Sequence, residues 1–178
     1  ALSPKGSWQR YTHGIGFGDL NGDGRADLLE QNGWWEQPAS LAGDPVWTNH
    51  KFPFAPGAGA AQMLVYDFNG DGRRDVAVQV QDIRSGKIGI AIFHGKYPQA
   101  AFVHVDILGA GNRLGSAGDD FKWIDIWRLH SRTAVYSELK ETPPKNSGGE
   151  AFDLQKRGGK SGYIYWDGKQ YRWGERKQ

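Results

Sequence analysis

The apolar positions of this chain repeat mainly with a period of two, which is typical of β-strands. Alternation is clearest in the stretch DVAVQVQ (75–81), where valines on one side face alanine and glutamines on the other. The stretch KIGIAIFH (87–94) is apolar on both faces, as in a buried central strand, and joins the first through a short turn at 84–87. AAFVHVDIL (100–108) alternates again and predicts a strand with one face in water, lined by His104 and Asp106.

In the last third of the chain the sequence pattern predicts one hairpin. For one further segment it does not decide between strand and helix. YIYWDGKQYRW (163–173) places Asp167-Gly168 between two aromatic strands, which favours a type I′ turn. FKWIDIWRLH (121–130) fits either a strand or a short helix, and the Gly-rich stretches 108–120 and 141–150 read as loops. With 26 glycines and little helical periodicity, we expect a compact all-β, antiparallel fold with few helices.

Length and composition are typical of a soluble globular protein with one domain. The chain has 178 residues, which suits one domain (1–178), and 24% charged residues, which suits a soluble globular protein. No apolar run approaches the ~20 residues of a membrane-spanning helix. The sequence contains no cysteine, so disulfides, zinc–thiolate sites and cysteine nucleophiles are excluded.

Two acidic loops carry the strongest chemical signal. GDLNGDGRADLLE (18–30) returns 48 residues later as YDFNGDGRRDVAV (66–78), with acidic residues and asparagine at alternate positions around glycines. Crowded carboxylates repel one another unless a cation lies among them, and hard oxygen ligands at this spacing suit Ca²⁺. The predicted ligands of two calcium ions are the side chains of Asp19, Asn21, Asp23 and Asp27 with the Arg25 carbonyl, and those of Asp67, Asn69, Asp71 and Asp75 with the Arg73 carbonyl.

The flanks of these loops distinguish between kinds of calcium loop. Glu30 stands at the twelfth position of the first loop, where an EF-hand has its bidentate glutamate. The flanking segments are rich in glycine, however, and Val78 takes that position in the second loop and begins to alternate as in a strand. We therefore expect a strand after each loop, with Glu30 either a strand residue or a further ligand. The alternative is a pair of Asn-Gly and Asp-Gly turns without an ion.

The sequences GFGDLNGDGRADLLEQ and VYDFNGDGRRDVAVQV resemble the FG-GAP or VCBS-type repeats of secreted and surface proteins, over roughly residues 10 to 82. The resemblance implies a calcium loop between two strands and names no activity. Phe17-Gly18 matches the start of the motif, whereas Val65-Tyr66 departs from it in the second copy. The later half, from 119 onward, is similar to the tail of uncharacterised bacterial proteins that carry such repeats.

The repeats suggest an architecture. Two repeats, at about 10–48 and 58–95, precede a β-rich C-terminal half at about 96–178. A closed propeller needs at least four blades of about 40 to 50 residues each, and this chain supplies three at most. We expect two calcium-loop hairpins packed against a further antiparallel sheet; the alternative is a propeller fragment that closes by association of chains, with the oligomeric state open.

Several aromatic residues are candidates for a binding surface. Trp34 and Trp35 are adjacent, so in a strand they point to opposite faces. We expect Trp34 in the core and Trp35 at the surface, beside the polar residues that follow it. Trp35, Tyr171 and Trp173 are the candidates for a flat platform that stacks a sugar ring or grips a protein. Core packing is the alternative for each of them.

Other catalytic or ligand signals are weaker. Asp119, Asp120 and Asp125 offer an acid and a base for glycoside hydrolysis, but turn and capping roles also explain them. The five histidines have no zinc-site spacing, and no G-x-S-x-G sequence occurs. Residues 140–178 carry nine Lys and Arg against five Asp and Glu, so this segment has a net positive charge. The acidic residues interrupt the positive charge too often to indicate nucleic-acid binding.

Together these patterns predict a calcium-binding, exported domain that serves structure or recognition and has no catalytic activity. The chain begins without a signal peptide, as expected if a secreted, periplasmic or cell-surface protein had lost its signal. The second prediction is a carbohydrate-binding, lectin-like module, and the third a glycoside-active enzyme. These hypotheses are compatible with a protein or glycan partner. We expect neither nucleic-acid binding nor a membrane-spanning segment.

Overall fold

The fold is mostly β. The computed structural model describes residues 15–30, 32–52, 54, 63–96, 101–145 and 148–176. Twelve strands are present in this part of the chain: β1 Gly16–Gly18, β2 Asp27–Glu30, β3 Gly33–Glu36, β4 Thr48–Lys51, β5 Met63–Tyr66, β6 Asp75–Gln81, β7 Ile88–Lys96, β8 Ala101–Gly109, β9 Ile126–Ser131, β10 Glu150–Gln155, β11 Ser161–Trp166 and β12 Tyr171–Glu175. One α-helix, α1 (Arg132–Leu139), and a short 3₁₀ turn at Gly115–Ala117 complete the elements of the described residues.

The strands form three antiparallel sheets, each built from four strands that are consecutive in the chain. The orders are β1-β2-β3-β4, β5-β6-β7-β8 and β9-β10-β11-β12, here called the first, central and third sheets. Within the described residues the sheets form neither a closed barrel nor a closed propeller. The prediction of a compact all-β fold is therefore confirmed. The two repeats are predicted to begin at 10 and 58, and residues 10–14 and 58–62 lie outside the described residues.

The central sheet lies between the other two, and strand alternation decides which side chain meets which neighbour. Val76 and Val78 of β6 pack in one cluster with Leu29 and Trp34 of the first sheet. Ala77, between the two valines, packs in a second cluster with residues of the third sheet. Burial on both faces explains why this part of the sequence is so apolar.

The first and central sheets approach closely at their opening strands. A Cβ atom at Gly18 of β1 would lie 2.7 Å from the Cβ of Val65 in β5, which is closer than side chains can pack. The glycine therefore gives β1 room beside β5. On the other side of the central sheet, Phe68 stacks on Phe152 of β10 with ring centroids 4.3 Å apart.

Helix α1 covers the far face of the third sheet. Val135 and Tyr136 of the helix pack with Tyr163 and Tyr165 of β11, and the Tyr136 hydroxyl donates to the Trp166 carbonyl at 2.9 Å. The undecided segment 121–130 supplies the first residues of β9, and α1 follows at once, a helix that the strand-like pattern of the chain did not predict.

Two local predictions need correction. The hairpin of β11 and β12 forms, but its loop spans four residues: Trp166 pairs with Tyr171, and the Asp167 carboxylate accepts the N–H groups of Lys169 and Gln170. Asp167 also lacks the positive φ that a type I′ turn requires. In β8, Val105 and Ile107 are 42% and 47% exposed. The wet face predicted for Asp106 is wrong, because this carboxylate turns toward His94 of the neighbouring strand.

Candidate metal centres in two matching loops

The first acidic loop connects β1 to β2 and folds around the carboxylate of Asp19. Oδ1 of Asp19 accepts the N–H of Gly22 at 2.6 Å and that of Asp23 at 3.1 Å, while Oδ2 accepts the N–H of Gly24 at 2.9 Å. Further along the loop, Asp23 Oδ1 accepts the N–H of Arg25 at 2.8 Å. These local bonds gather the side-chain oxygens of the loop on a tight backbone turn.

The second loop connects β5 to β6 and repeats this arrangement. Oδ1 of Asp67 accepts the N–H of Gly70 at 2.6 Å and that of Asp71 at 3.1 Å, and Oδ2 accepts the N–H of Gly72 at 2.9 Å. Asp71 Oδ1 accepts the Arg73 N–H at 2.8 Å, as Asp23 does from Arg25. The sequence repeat is therefore a repeat of geometry.

The asparagines occupy matching places. Asn21 Oδ1 accepts the N–H of Asp23 at 3.1 Å, and Asn69 Oδ1 accepts the N–H of Asp71 at 3.0 Å. The following glycine, Gly24 or Gly72, has a φ of +83° in both loops. A side chain at this position would be strained, so the glycine is required by the backbone.

The last acidic residue of each loop begins the next strand and is fully buried. Asp27 Oδ2 accepts the Leu20 N–H at 2.8 Å and Oδ1 accepts the Gln37 N–H at 2.9 Å. Asp75 likewise accepts from Phe68 at 2.9 Å and from Gly95 at 3.1 Å. Each carboxylate thus ties its loop to the end of the third strand in its sheet.

Burial affects the charge of these loops. It raises the pKa of Asp27, which the nearby carboxylates of Asp23 and Asp19 raise further, against the lowering effect of two backbone N–H donors. Burial also raises the pKa of Asp67, again with contributions from Asp75 and Asp71. Keeping these two carboxylates ionised in the folded protein therefore costs free energy. A cation bound beside them would reduce that cost.

The donor chemistry of both loops suits calcium, because each offers carboxylate, amide and carbonyl oxygens and no sulfur or nitrogen ligand. The side chains do not converge in the usual manner of a preformed centre: among the described residues no three His, Cys, Asp or Glu side chains are grouped so as to hold a metal ion. Backbone N–H groups take up many of the carboxylate oxygens instead. The loops thus match calcium in donor type, and the calcium assignment stays a prediction.

The surroundings of the two loops differ. The first loop is exposed, and the Arg25 guanidinium pairs with the Asp23 carboxylate and donates from Nε to the Gln37 carbonyl at 2.9 Å. The sequence reasoning gave Arg25 only a backbone role. Glu30 ends β2, where its carboxylate accepts the Asn32 N–H at 3.3 Å, so it is a strand residue.

The first part of the second loop, residues 67–70, lies against the third sheet, whereas residues 71–74 are exposed. The Asp67 carbonyl accepts the Glu150 N–H at 3.0 Å, and the fully buried Arg132 donates to the Phe68 carbonyl at 3.4 Å. His94 lies beside the loop, with its Nε2 atom 3.0 Å from Asp106 Oδ2. Sequence reasoning missed His94, Asp106 and Arg132, because no local spacing links them to the loop.

The aromatic candidates are mostly buried. Trp34 is 1% exposed and stacks on His50 at 4.0 Å, which confirms its place in the core. The expected surface position of Trp35 is wrong, since that residue is only 9% exposed. Tyr171 is 6% exposed and stacks on His94, and Trp173 is partly covered by Lys160 and Trp123. The proposed platform thus lacks the open rings that a sugar or a protein would contact.

The three aspartates considered for catalysis serve as turn acceptors and ion-pair partners. Asp119 pairs with Lys87 at 2.5 Å, Asp120 accepts the N–H groups of Ile88 and Lys122, and Asp125 accepts the Arg157 N–H at 2.9 Å. A small cavity of about 130 Å³ beside Asp125 is lined mainly by apolar residues of the central sheet and of the segment that leads into β9. This geometry supports the capping interpretation.

Comparison of the chain with protein-family models, curated proteins and solved structures found no match. The resemblance to FG-GAP or VCBS-type repeats therefore rests on the two loops alone. In the described part of the chain, α1 is too short to cross a membrane.

Proposed function

We propose that this chain is a calcium-binding domain of the FG-GAP or VCBS type that serves structure or recognition outside the cell, and we assign it no catalytic role. One observation carries the proposal: the Asp19 and Asp67 carboxylates accept three backbone N–H groups each, at the same distances of 2.6, 3.1 and 2.9 Å. Both loops also lie between the first two strands of a sheet, as in the repeats they resemble.

The physical role proposed for calcium is to offset charge. Each loop carries three aspartates, and the last of them, Asp27 or Asp75, is fully buried. A divalent cation compensates that charge and links the loop to the strand that follows it. Because the sequence has no cysteine, a metal is the cross-link that remains for an exported domain.

Calorimetric titration of the metal-free protein with CaCl₂ tests the proposal. We expect two ions per chain and a higher melting temperature, since binding to the native state alone stabilises it by about 2.7 kcal/mol when calcium exceeds Kd a hundredfold. A titration without heat, combined with a melting curve that is the same in CaCl₂ and in EDTA, would contradict the proposal. Titration with MgCl₂ under the same conditions measures the selectivity of the loops.

A further inference from the structure

The two loops match in their internal hydrogen bonds but differ in what lies beside them. The first loop contacts its own sheet through Gln37. The second loop also contacts the third sheet, where the Asp67 carbonyl accepts the Glu150 N–H, and helix α1, whose Arg132 donates to the carbonyl of Phe68. Any ligand bound in the second loop would therefore lie close to residues of the third sheet.

Tyr171 is one of three residues of the third sheet, with Asp153 and Trp173, that have a buried polar side-chain atom without a hydrogen-bond partner among the described residues. Its side chain is 6% exposed, and in the described part of the chain its buried hydroxyl oxygen has no hydrogen-bond partner. Burying a hydroxyl without a hydrogen bond is unfavourable, so such groups in proteins normally meet a partner or a ligand.

The position of Tyr171 connects this hydroxyl with the second loop. Its ring stacks on His94 at 6.1 Å and 14°, and His94 contacts Asp75. The carboxylates that raise the pKa of Tyr171, beyond the larger effect of burial, are those of Asp75, Asp106 and Asp67. Two of these three belong to the predicted ligand set. The first loop has no buried hydroxyl without a partner among the described residues.

We propose that the Tyr171 hydroxyl belongs to the second calcium site, where it hydrogen-bonds to the ligand shell of the ion. This inference rests on the proposed function. It makes the second site a composite of the central and third sheets, whereas the first site is built within one sheet. Tyr171 thus acts as a positioning group for a site whose ligands lie more than 90 residues earlier in the sequence.

The test uses Tyr171→Phe in two backgrounds that each keep one loop. Asp23→Ala leaves the second loop intact, and Asp71→Ala leaves the first. In calorimetric titrations with CaCl₂, we expect Tyr171→Phe to weaken binding about tenfold in the Asp23→Ala background, because a hydrogen bond within a charged site is lost. In the Asp71→Ala background the same substitution should leave Kd unchanged.

Stability in EDTA separates this role from simple packing. Phenylalanine keeps the ring and removes an unsatisfied hydroxyl, so we expect the metal-free Tyr171→Phe protein to melt at or above the temperature of the parent. An unchanged Kd in the Asp23→Ala background, an equal weakening in both backgrounds, or a lower melting temperature in EDTA would each overturn the inference alone. A parent protein that binds no calcium overturns the proposed function as well.

Discussion

The Nδ1 atom of His94 lies 3.2 Å from Oδ1 of Asp75, the last acidic residue of the second loop. The other ring nitrogen of His94 lies 3.0 Å from Oδ2 of Asp106 on the adjacent strand. One imidazole therefore joins a predicted metal ligand to a carboxylate that is 31 residues away in the sequence. Asp27, the equivalent residue of the first loop, accepts the backbone N–H groups of Leu20 and Gln37.

His94→Phe tests the contribution of this pair to stability. Phenylalanine retains a ring against Tyr171 but leaves Asp75 and Asp106 without the imidazole, so we expect a loss of about 1–3 kcal/mol in the free energy of unfolding. Urea denaturation in EDTA measures it. His50→Phe is the matched control, because His50 stacks on Trp34 and binds Glu36 at a partly exposed site. A loss in the control as large as that in His94→Phe would contradict the role of the buried pair.

Asp23→Ala and Asp71→Ala should each remove one calcium ion per chain, because each deletes the carboxylate at the equivalent position of one loop. Calorimetric stoichiometry with CaCl₂ measures the result. Asp125→Ala is the control: its carboxylate accepts the Arg157 N–H outside both loops, so the stoichiometry should stay at two. If either loop variant retained both ions, that loop would not be a calcium site.

Trp34→Ala and Trp35→Ala should both lower stability, with Trp34→Ala costing about 3–5 kcal/mol through lost burial and a cavity. Both side chains are largely buried, at 1% and 9% exposure. Phe17→Ala removes an aromatic ring that is 63% exposed on the same sheet and should change stability by less than about 0.5 kcal/mol. Thermal melts of the three variants provide the comparison; a Trp35→Ala protein as stable as the parent would restore the surface interpretation.

Acid should weaken the link that Asp120 makes to the central sheet. Its carboxylate accepts the N–H of Ile88 and of Lys122, which lower its pKa below the ordinary value of 3.8. A lowered pKa in the folded state means that the stabilisation is present above 3.8 and is lost as the pH falls through the folded value.

Asp120→Asn should therefore be less stable than the parent at pH 7, and this difference should shrink as the pH falls below 3.8. Urea denaturation of both proteins in EDTA, from pH 7 to acid, measures the difference in their free energies of unfolding. Both proteins contain the same acidic loops, so the titration of the loops does not contribute to that difference. A difference that stays constant with pH would show that the Asp120 charge does not contribute.

The sequence by itself determined several strands, among them β6, β7, β8 and the hairpin of β11 and β12, and it determined the internal form of the loops. Each hydrogen bond described within a loop joins residues at most seven positions apart in the sequence, as between Phe68 and Asp75, so local spacing specifies the turn. Alternation likewise determined that Trp34 and Trp35 point to opposite faces, and the long apolar run at β7 indicated a strand buried on both sides.

Only the tertiary structure decided what surrounds those elements. Arg132 reaches the Phe68 carbonyl across 64 residues, and Asp106 reaches His94 from the next strand. Alternation tells which side chains share a face but not which faces a neighbouring element will cover, so Trp35 and Tyr171 read as surface candidates although both are buried. The physical reason is that burial and long-range hydrogen bonds depend on how the sheets pack, and local spacing carries no record of that packing.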